Sequence, residues 1–260
     1  MSIALWSRGL GVLMSLQVIV AQGEIVIDRT RVIYPGAARA VVINLHNEAD
    51  SPRLVQAWID DGDAAAAPEN SDVPFTITPP IVRMNASTGR ALRIMHYQTP
   101  KPMADRESVY WLNVLAIRPS VEASAETNVL QFAFRTRIKL FLRPAELPGQ
   151  VQDAAHALQW SVSGGGEAGL EVLNPTPYHV TLSGVVLTVS AVAHRSEDPP
   201  MVAPYGTARI AMPGLPHEGL TGTPVEFTTL DDEGATQHHQ ALLRPVACSS
   251  LKPCADAPGA

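Results

Sequence analysis

The chain is poor in the residues that build metal and catalytic centres. Its 260 residues hold two cysteines, Cys248 and Cys254, both near the C-terminus. Two thiols do not make a four-ligand zinc centre. There is no G-x-S-x-G elbow, no H-E-x-x-H, and no glycine loop followed by Lys-Ser/Thr. Eight histidines are scattered apart from His238-His239. Those two are adjacent in a strand-like run, so a period of two sends them to opposite faces rather than to one ligand. The acidic turn Asp60-Asp61-Gly62-Asp63 misses the calcium-loop pattern and reads as a solvated loop. Gly164-Gly165-Gly166 reads as a flexible hairpin turn. The formal net charge is −6, so no basic excess points to nucleic acid. No long segment of 3.6 period appears, so helices are minor. These absences leave no visible nucleophile, base and orienting group, and no enzyme, metal or cofactor is expected.

The first residues are informative for compartment. Arg8 precedes a short apolar stretch, Gly9 to Val20, and Ala21-Gln22-Gly23 is a small-x-small cleavage site. This is the pattern of an export signal over 1–23, too short to span a membrane. Nothing later approaches 18 consecutive apolar residues, so no integral membrane segment is expected. The mature chain should start at Glu24, outside the cytoplasm. In that compartment an even pair of cysteines reads as a disulfide, Cys248 to Cys254, serving stability alone.

Nearly everything else reads as short strands with turn punctuation. Ile25–Ile27, Val32–Tyr34, Ala40–Leu45, Leu54–Ile59, Phe75–Thr78, Ala91–His96 and Val109–Ile117 are alternating or β-branched runs. That spacing implies an antiparallel sandwich. A composition shift follows Pro144, where Pro148 and Gly149 interrupt any core pattern. A second, smaller β-domain follows, with strands at Ala157–Val162, Leu170–Leu173, His179–Val189, Ala208–Met212, Val225–Leu230 and Gln240–Cys248. The organisation expected is 24–144 as the first domain, 145–155 as linker and 156–260 as the second.

One segment is longer than a sandwich needs. From Asn128 to Pro144, Leu130, Phe132, Phe134, Ile138, Leu140 and Leu142 share one parity, broken only by Thr136. Gln131, Arg135, Arg137 and Lys139 share the other. Typical strands run about 5–6 residues, and a long apolar edge strand invites pairing with other chains. It makes physical sense as a strand meant for another chain. Arg31 and Lys139 also sit inside strand-like runs; on composition alone they simply snorkel to solvent.

These blocks together resemble a known family. Asp28-Arg29-Thr30-Arg31-Val32-Ile33-Tyr34-Pro35 comes first, then Val55-Gln56-Ala57-Trp58-Ile59-Asp60 and Thr78-Pro79-Pro80-Ile81-Val82-Arg83. Asp105 to Asn113, Ile138 to Pro144 and Asn174-Pro175-Thr176-Pro177-Tyr178 follow in order. The chain resembles the PapD-like periplasmic chaperones of the chaperone–usher pilus pathway. The resemblance implies an all-β protein of two immunoglobulin-like domains set at an angle, with a cleft between them. It implies that Leu130, Phe132 and Phe134 form a donor strand that completes the fold of a pilus subunit by β-augmentation. Arg31 and Lys139 would hold the subunit's C-terminal carboxylate. Glu107, Arg143 and Asp232 would form an interdomain charge network, and Pro80 would be a cis-proline. The partners implied are pilus or fimbrial subunits, a tip adhesin and an outer-membrane usher, all met in the periplasm. The short connection between Ile117 and Asn128 resembles the short-loop subfamily. A secreted structural or adhesive β-sandwich is the alternative, although no donor extension or missing strand of its own is visible.

Overall fold

The computed structural model describes residues 24–97, 103–119, 132–163, 168–216 and 219–245. Among these the regular structure is sixteen β-strands and two single-turn 3₁₀ segments, Pro68–Asn70 and Val151–Asp153. No helix among them is long and apolar enough to cross a membrane.

The first domain contains β1 (Ile25–Ile27), β2 (Arg31–Pro35), β3 (Val41–Asn47), β4 (Arg53–Asp60), β5 (Phe75–Thr78), β6 (Ile81–Met84), β7 (Gly89–His96), β8 (Ser108–Ile117) and β9 (Phe134–Arg143). Two sheets stack face to face, one ordered β1-β3-β7-β5 and the other β2-β9-β8-β4-β6. The N-terminal segment therefore serves both sheets: β1 pairs with β3, and after Asp28–Thr30 the chain crosses over so that β2 runs parallel to β9. Alternate residues fill the interior, including Val32, Tyr34, Ile43, Leu92, Ile94, Leu112, Leu140 and Leu142, all fully buried. This is the period-two logic of a two-sheet core. Tyr34 keeps its hydroxyl satisfied inside that core, donating to the Ala38 carbonyl at 3.0 Å and accepting from the His96 amide at 3.1 Å.

The second domain contains β10 (Gln159–Val162), β11 (Gly169–Leu173), β12 (Thr181–Val189), β13 (Val192–Ser196), β14 (Thr207–Ala211), β15 (Pro224–Leu230) and β16 (Thr236–Leu242). Its sheets are β10-β11-β14 and β13-β12-β15-β16. Trp160, Leu170, Val185, Leu187, Val202 and Val225 centre its core. Ala154 and Ala155, in the segment expected as linker, are buried in that core, with Leu147 and Val151 packed against it.

Three further sequence expectations differ from the structure. The cis peptide is Thr78–Pro79, not the bond before Pro80. The chain changes sheets between β5 and β6 at these two prolines, and the Pro80 carbonyl is already engaged by the Ala57 amide at 2.8 Å. Two consecutive prolines in a matching motif did not by themselves distinguish the two bonds. The last strand among the described residues lies at Thr236–Leu242, where Gln240–Cys248 was expected, pairing with β15 from Leu230↔Thr236 to Pro224↔Leu242; residues 246–248 of that expectation lie outside the described residues. The strand expected over Asn128–Pro144 begins at Phe134 within the described residues, because its partner β8 ends at Ile117 and pairs last at Ala116↔Phe134. Residues 1–23, Leu130, the connection 120–131, Gly164–Gly166 and both cysteines lie outside the described residues.

Candidate functional site

The site grows out of the two faces of β9. Its even-numbered residues belong to the core parity: Leu140 and Leu142 are fully buried, and Ile138 packs partly against the core. That same parity then runs off the end of the sandwich. Thr136 is exposed, Phe134 is 53% exposed and Phe132 is 57% exposed. Large aromatic side chains left in water at the end of a core stripe are an unused packing surface.

The backbone along this stretch is unused on one side. β8 pairs with β9 from Ser108↔Leu142 to Ala116↔Phe134. On the other side β2 pairs only from Arg31↔Lys139 to Pro35↔Arg143. Among the described residues, Phe134 to Ile138 thus has a ladder on one side and an open edge on the other. Such an edge is a template for an added strand.

Arg31 and Lys139 stand where that open edge begins. They are register partners in the parallel β2–β9 pair, and their neighbours Val32 and Leu140 point into the core. Both cations therefore project from the opposite, outer face of the sheet. Arg31 is 8% exposed and donates to the Leu230 carbonyl of the second domain at 3.1 Å. Its Nε is buried with no partner among the described residues. Burial pulls the Arg31 guanidinium below its usual value, and the nearby Asp232 and Asp231 oppose that pull. Lys139 is half-buried, and no hydrogen bond or ion pair of its ammonium occurs among the described residues. Burial lowers its pKa first, and the charge of Arg31 beside it lowers it further. Two partly desolvated like charges side by side favour an anion between them.

The other outward residues of β9 are engaged. Phe141 packs against the His179 ring, with centroids 5.5 Å apart. Arg143 joins the domains: its Nε donates to Glu107 at 2.5 Å, and its two terminal nitrogens donate to the Asp232 carboxylate at 2.7 and 2.8 Å. Glu107 is 3% exposed. It also accepts from the His179 amide at 2.9 Å, and its own amide donates to the Pro177 carbonyl at 2.9 Å. The structure thus brings Glu107, Arg143 and Asp232 together from both domains. Arg143 stays firmly protonated, because its bonds to Asp232 and Glu107 outweigh the opposing effect of burial. Behind this junction lies an interdomain cavity of about 390 Å³, walled by Arg31, Glu107 and Arg143 on one side and His179, Leu230 and Asp232 on the other.

Family models decide what kind of protein carries this arrangement. The pili and flagellar-assembly chaperone PapD N-terminal domain matches residues 24–148, and the pili assembly chaperone PapD C-terminal domain matches 153–241. The chain belongs to the PapD family of pilus-assembly chaperones. Among its relatives is the Escherichia coli K12 protein named "Probable fimbrial chaperone YadV". It is 40% identical over 223 residues, covering 85% of this chain and 90% of that one. The chaperone protein FimB/FhaD of Bordetella pertussis is 38% identical over 249 residues, covering 92% and 99%. The crystal structure of the YadV chaperone superimposes with a TM-score of 0.74 at 38% identity, over 85% of this chain and all of that one. A structure of the Salmonella enterica SafA pilin in complex with the SafB chaperone matches with a TM-score of 0.70 at 28% identity, over 86% and 98%.

One part of this chaperone's site escaped sequence reasoning. Asp60 is not solvated: it is 1% exposed, the last residue of β4, and bonded to Arg137. Only Asp61, Gly62 and Asp63 of that acidic turn are exposed. The available signal was the pair Arg135 and Arg137 on the polar parity of β9, which needed counter-charges on the facing strands.

Proposed function

We propose that this protein is a periplasmic chaperone that captures pilus or fimbrial subunits by lending them the edge of β9. The observation that carries this reading is the core stripe of β9 running off the sandwich as an exposed, open-edged strand. It ends at the Arg31/Lys139 pair. A subunit lacking one strand of its own sandwich has a groove of unpaired backbone groups and open side-chain pockets, both costly in water. The open edge from Phe134 to Ile138 supplies the backbone partners. Phe132 and Phe134, with Leu130 before them, supply the side chains. Each aromatic buried is worth about 1.5–3 kcal/mol before ordering costs.

Arg31 and Lys139 then fix register. A carboxylate at the subunit's C-terminus pairs with both cations and relieves their mutual repulsion, and that anchor sets which residues meet. A slip of one residue would turn the charged parity, Arg135 and Arg137, into the groove. The fold relationship to a chaperone solved with its pilin supports the same reading. Delivery to an outer-membrane usher, service to a tip adhesin, and an export signal ending before Glu24 complete it.

Two linked measurements test this. The protein exported to the periplasm is purified, its N-terminus is sequenced and its co-purifying partner is identified. A mature start at Glu24 and a small β-rich subunit in a 1:1 complex are expected. The same purification with Phe132→Glu should yield free, folded chaperone. In the complex that glutamate would be a buried, unpaired charge. We expect a loss of affinity of at least about a hundredfold, equivalent to ~2.7 kcal/mol. If Phe132→Glu instead keeps its partner, the donor-strand assignment is wrong.

A further inference from the structure

The outer face of the open-edged part of β9 is held by a closed lattice of side chains. Arg135 stacks over the Trp58 ring with its guanidinium 4.8 Å from the centroid, and Arg137 over Trp111 at 4.6 Å. Between them lie Asp60 and Asn113, 1% and 0% exposed. Arg137 donates to both oxygens of Asp60, at 2.5 and 3.2 Å. Arg135 donates to Asn113 Oδ1 at 2.9 and 2.7 Å, and Asn113 Nδ2 donates to Asp60 at 2.7 Å. The loop after β4 closes the lattice: the Gly62 amide donates to Asp60 at 2.8 Å, and Arg135 reaches the Ala64 carbonyl at 2.6 Å. Gly62 has φ +127°, and a Cβ there would stand 3.3 Å from the Trp111 ring, so a side chain would meet both backbone strain and a crowded ring.

This lattice is not the domain's core. Asp60 and Trp58 have the parity opposite to Ile59 and Ala57, which fill the interior, and Trp58 is buried only by what covers the sheet's outer face. Burial pushes the Asp60 carboxyl up, but the bonds from Arg137, Asn113 and the Gly62 amide outweigh it and hold it below the usual carboxylate range. The Trp58 indole N–H is buried without a partner among the described residues, but both Asp60 oxygens and both Asn113 side-chain polar atoms are engaged, and a buried polar network paired in this way rigidifies what it touches. What it touches here is Arg135 and Arg137, two of the five residues whose second ladder is missing.

We propose that Asp60, with Asn113, is a positioning residue for subunit capture: through Arg135 and Arg137 it holds the open edge of β9 as a preformed strand. The inference rests on the reading of β9 as the lent strand. A one-sided ladder residue is prone to fray, and each residue that must be ordered on binding carries an entropic cost. Preordering removes that cost from the capture step. The lattice also turns the two arginines to the outer face, so the apolar parity of Phe132 and Phe134 is the one presented.

The test uses the full exported chain, with Asp60→Asn and, because Asp60 is buried, also Arg137→Gln on the more exposed side. Hydrogen exchange of the free protein should accelerate about tenfold or more at Phe134–Ile138, while the interior strands β3 and β7 keep wild-type rates. Association with the subunit that co-purifies with the wild type should slow by about tenfold, with dissociation little changed. The double variant should be no worse than either single one. Unchanged exchange at Phe134–Ile138 in both variants overturns the proposal, as does equal acceleration through every strand of the domain, which would mark a general loss of stability. Lys139→Ala separates this idea from its premise: it should weaken capture without changing exchange at Phe134–Ile138. If no subunit is captured by any form, the donor-strand reading fails, and the exchange data still decide whether Asp60 holds the edge.

Discussion

Replacing Lys139 by alanine isolates the anchoring step. In the free protein this ammonium has no hydrogen-bond or ion-pair partner among the described residues; its burial, and then the charge of Arg31 beside it, lower its affinity for a proton, with Asp198 weakly opposing them. Removing it should leave the free fold intact and relieve a like-charge contact, so the melting temperature should hold or rise slightly. In the complex the same change leaves a desolvated carboxylate with one cation instead of two. Truncating one partner of a desolvated, hydrogen-bonded charge pair typically costs about 2–5 kcal/mol, roughly 30-fold to several thousand-fold in affinity. Titration calorimetry of the chaperone with a peptide copied from a subunit's C-terminal strand measures this directly. Amidating the peptide's C-terminus should weaken wild-type binding by a similar factor and barely weaken what remains with Lys139→Ala. Additive losses would refute the reasoning, since they would mean that Lys139 and the carboxylate act at different places. The pH dependence gives a second check. The anion binds the protonated form, and the folded pKa of Lys139 is depressed. Affinity should therefore be full at neutral pH and fall on the alkaline side before an ordinary lysine would titrate. Lys139→Arg should remove that alkaline fall, because a guanidinium stays charged.

Arg143→Gln should cost the folded protein about 2–4 kcal/mol, because Glu107 is left buried with only the His179 contacts; the partial exposure of Arg143 places this at or below the usual range for a broken buried pair. Small-angle scattering should also show altered domain orientation, and an unchanged profile with unchanged melting would remove the network from that role. Acid stability should report on Glu24. A hydrogen bond from Arg53 at 2.6 Å, aided by Arg118 and opposed by burial, holds its carboxyl at about 2, below its usual 4.5. Its stabilising contribution is complete above about pH 4.5 and lost as pH falls toward 2. In Glu24→Gln the slope of stability against pH over that window should flatten, as followed by thermal melts.

Much of the fold was legible because a two-sheet core imposes a period of two. Ile25–Ile27 and Phe75–Thr78 appear with the expected bounds, and most other strands differ by one or two residues at an end. Failures occur where that pressure is weak. β6 is only four residues long and follows a proline pair that reads as a turn. β13 has no buried residue, and its hairpin with β12 turns through Ser190 and Ala191, both at positive φ. A turn of that kind is normally announced by Asn-Gly or Asp-Gly, and neither residue here gives that signal. β16 is an edge strand whose Gln237-His238-His239 run carries no apolar alternation, although the two histidines do diverge. His239 stacks on Phe227, and His238 is exposed. Asp60 was hidden for another reason. A string of acids scores as solvent, and only the register of β4, β8 and β9 reveals that one of them lies beneath two arginines.

An open strand edge is a hazard as well as a tool, and the same residues manage both. Self-pairing of two β9 edges is favoured by their backbone and by Phe132 and Phe134. It is opposed by what the lattice fixes on the other parity. Two edges brought together would place Arg135 and Arg137 of each copy near their counterparts, and like charges opposite one another across a ladder are unfavourable. Lys139 adds a third positive charge at the end of the open segment. A partner groove that ends in a carboxylate meets this edge with the opposite sign, so the edge discriminates by charge what its backbone cannot. Weakening the Asp60 lattice should therefore do two things together: loosen the strand for its proper partner and free the arginines to turn aside. Variants that capture subunits more slowly should also self-associate more readily, measurable by sedimentation at rising concentration. A slow-capturing Asp60→Asn chaperone that stays as monomeric as the wild type would break this link between presentation and protection.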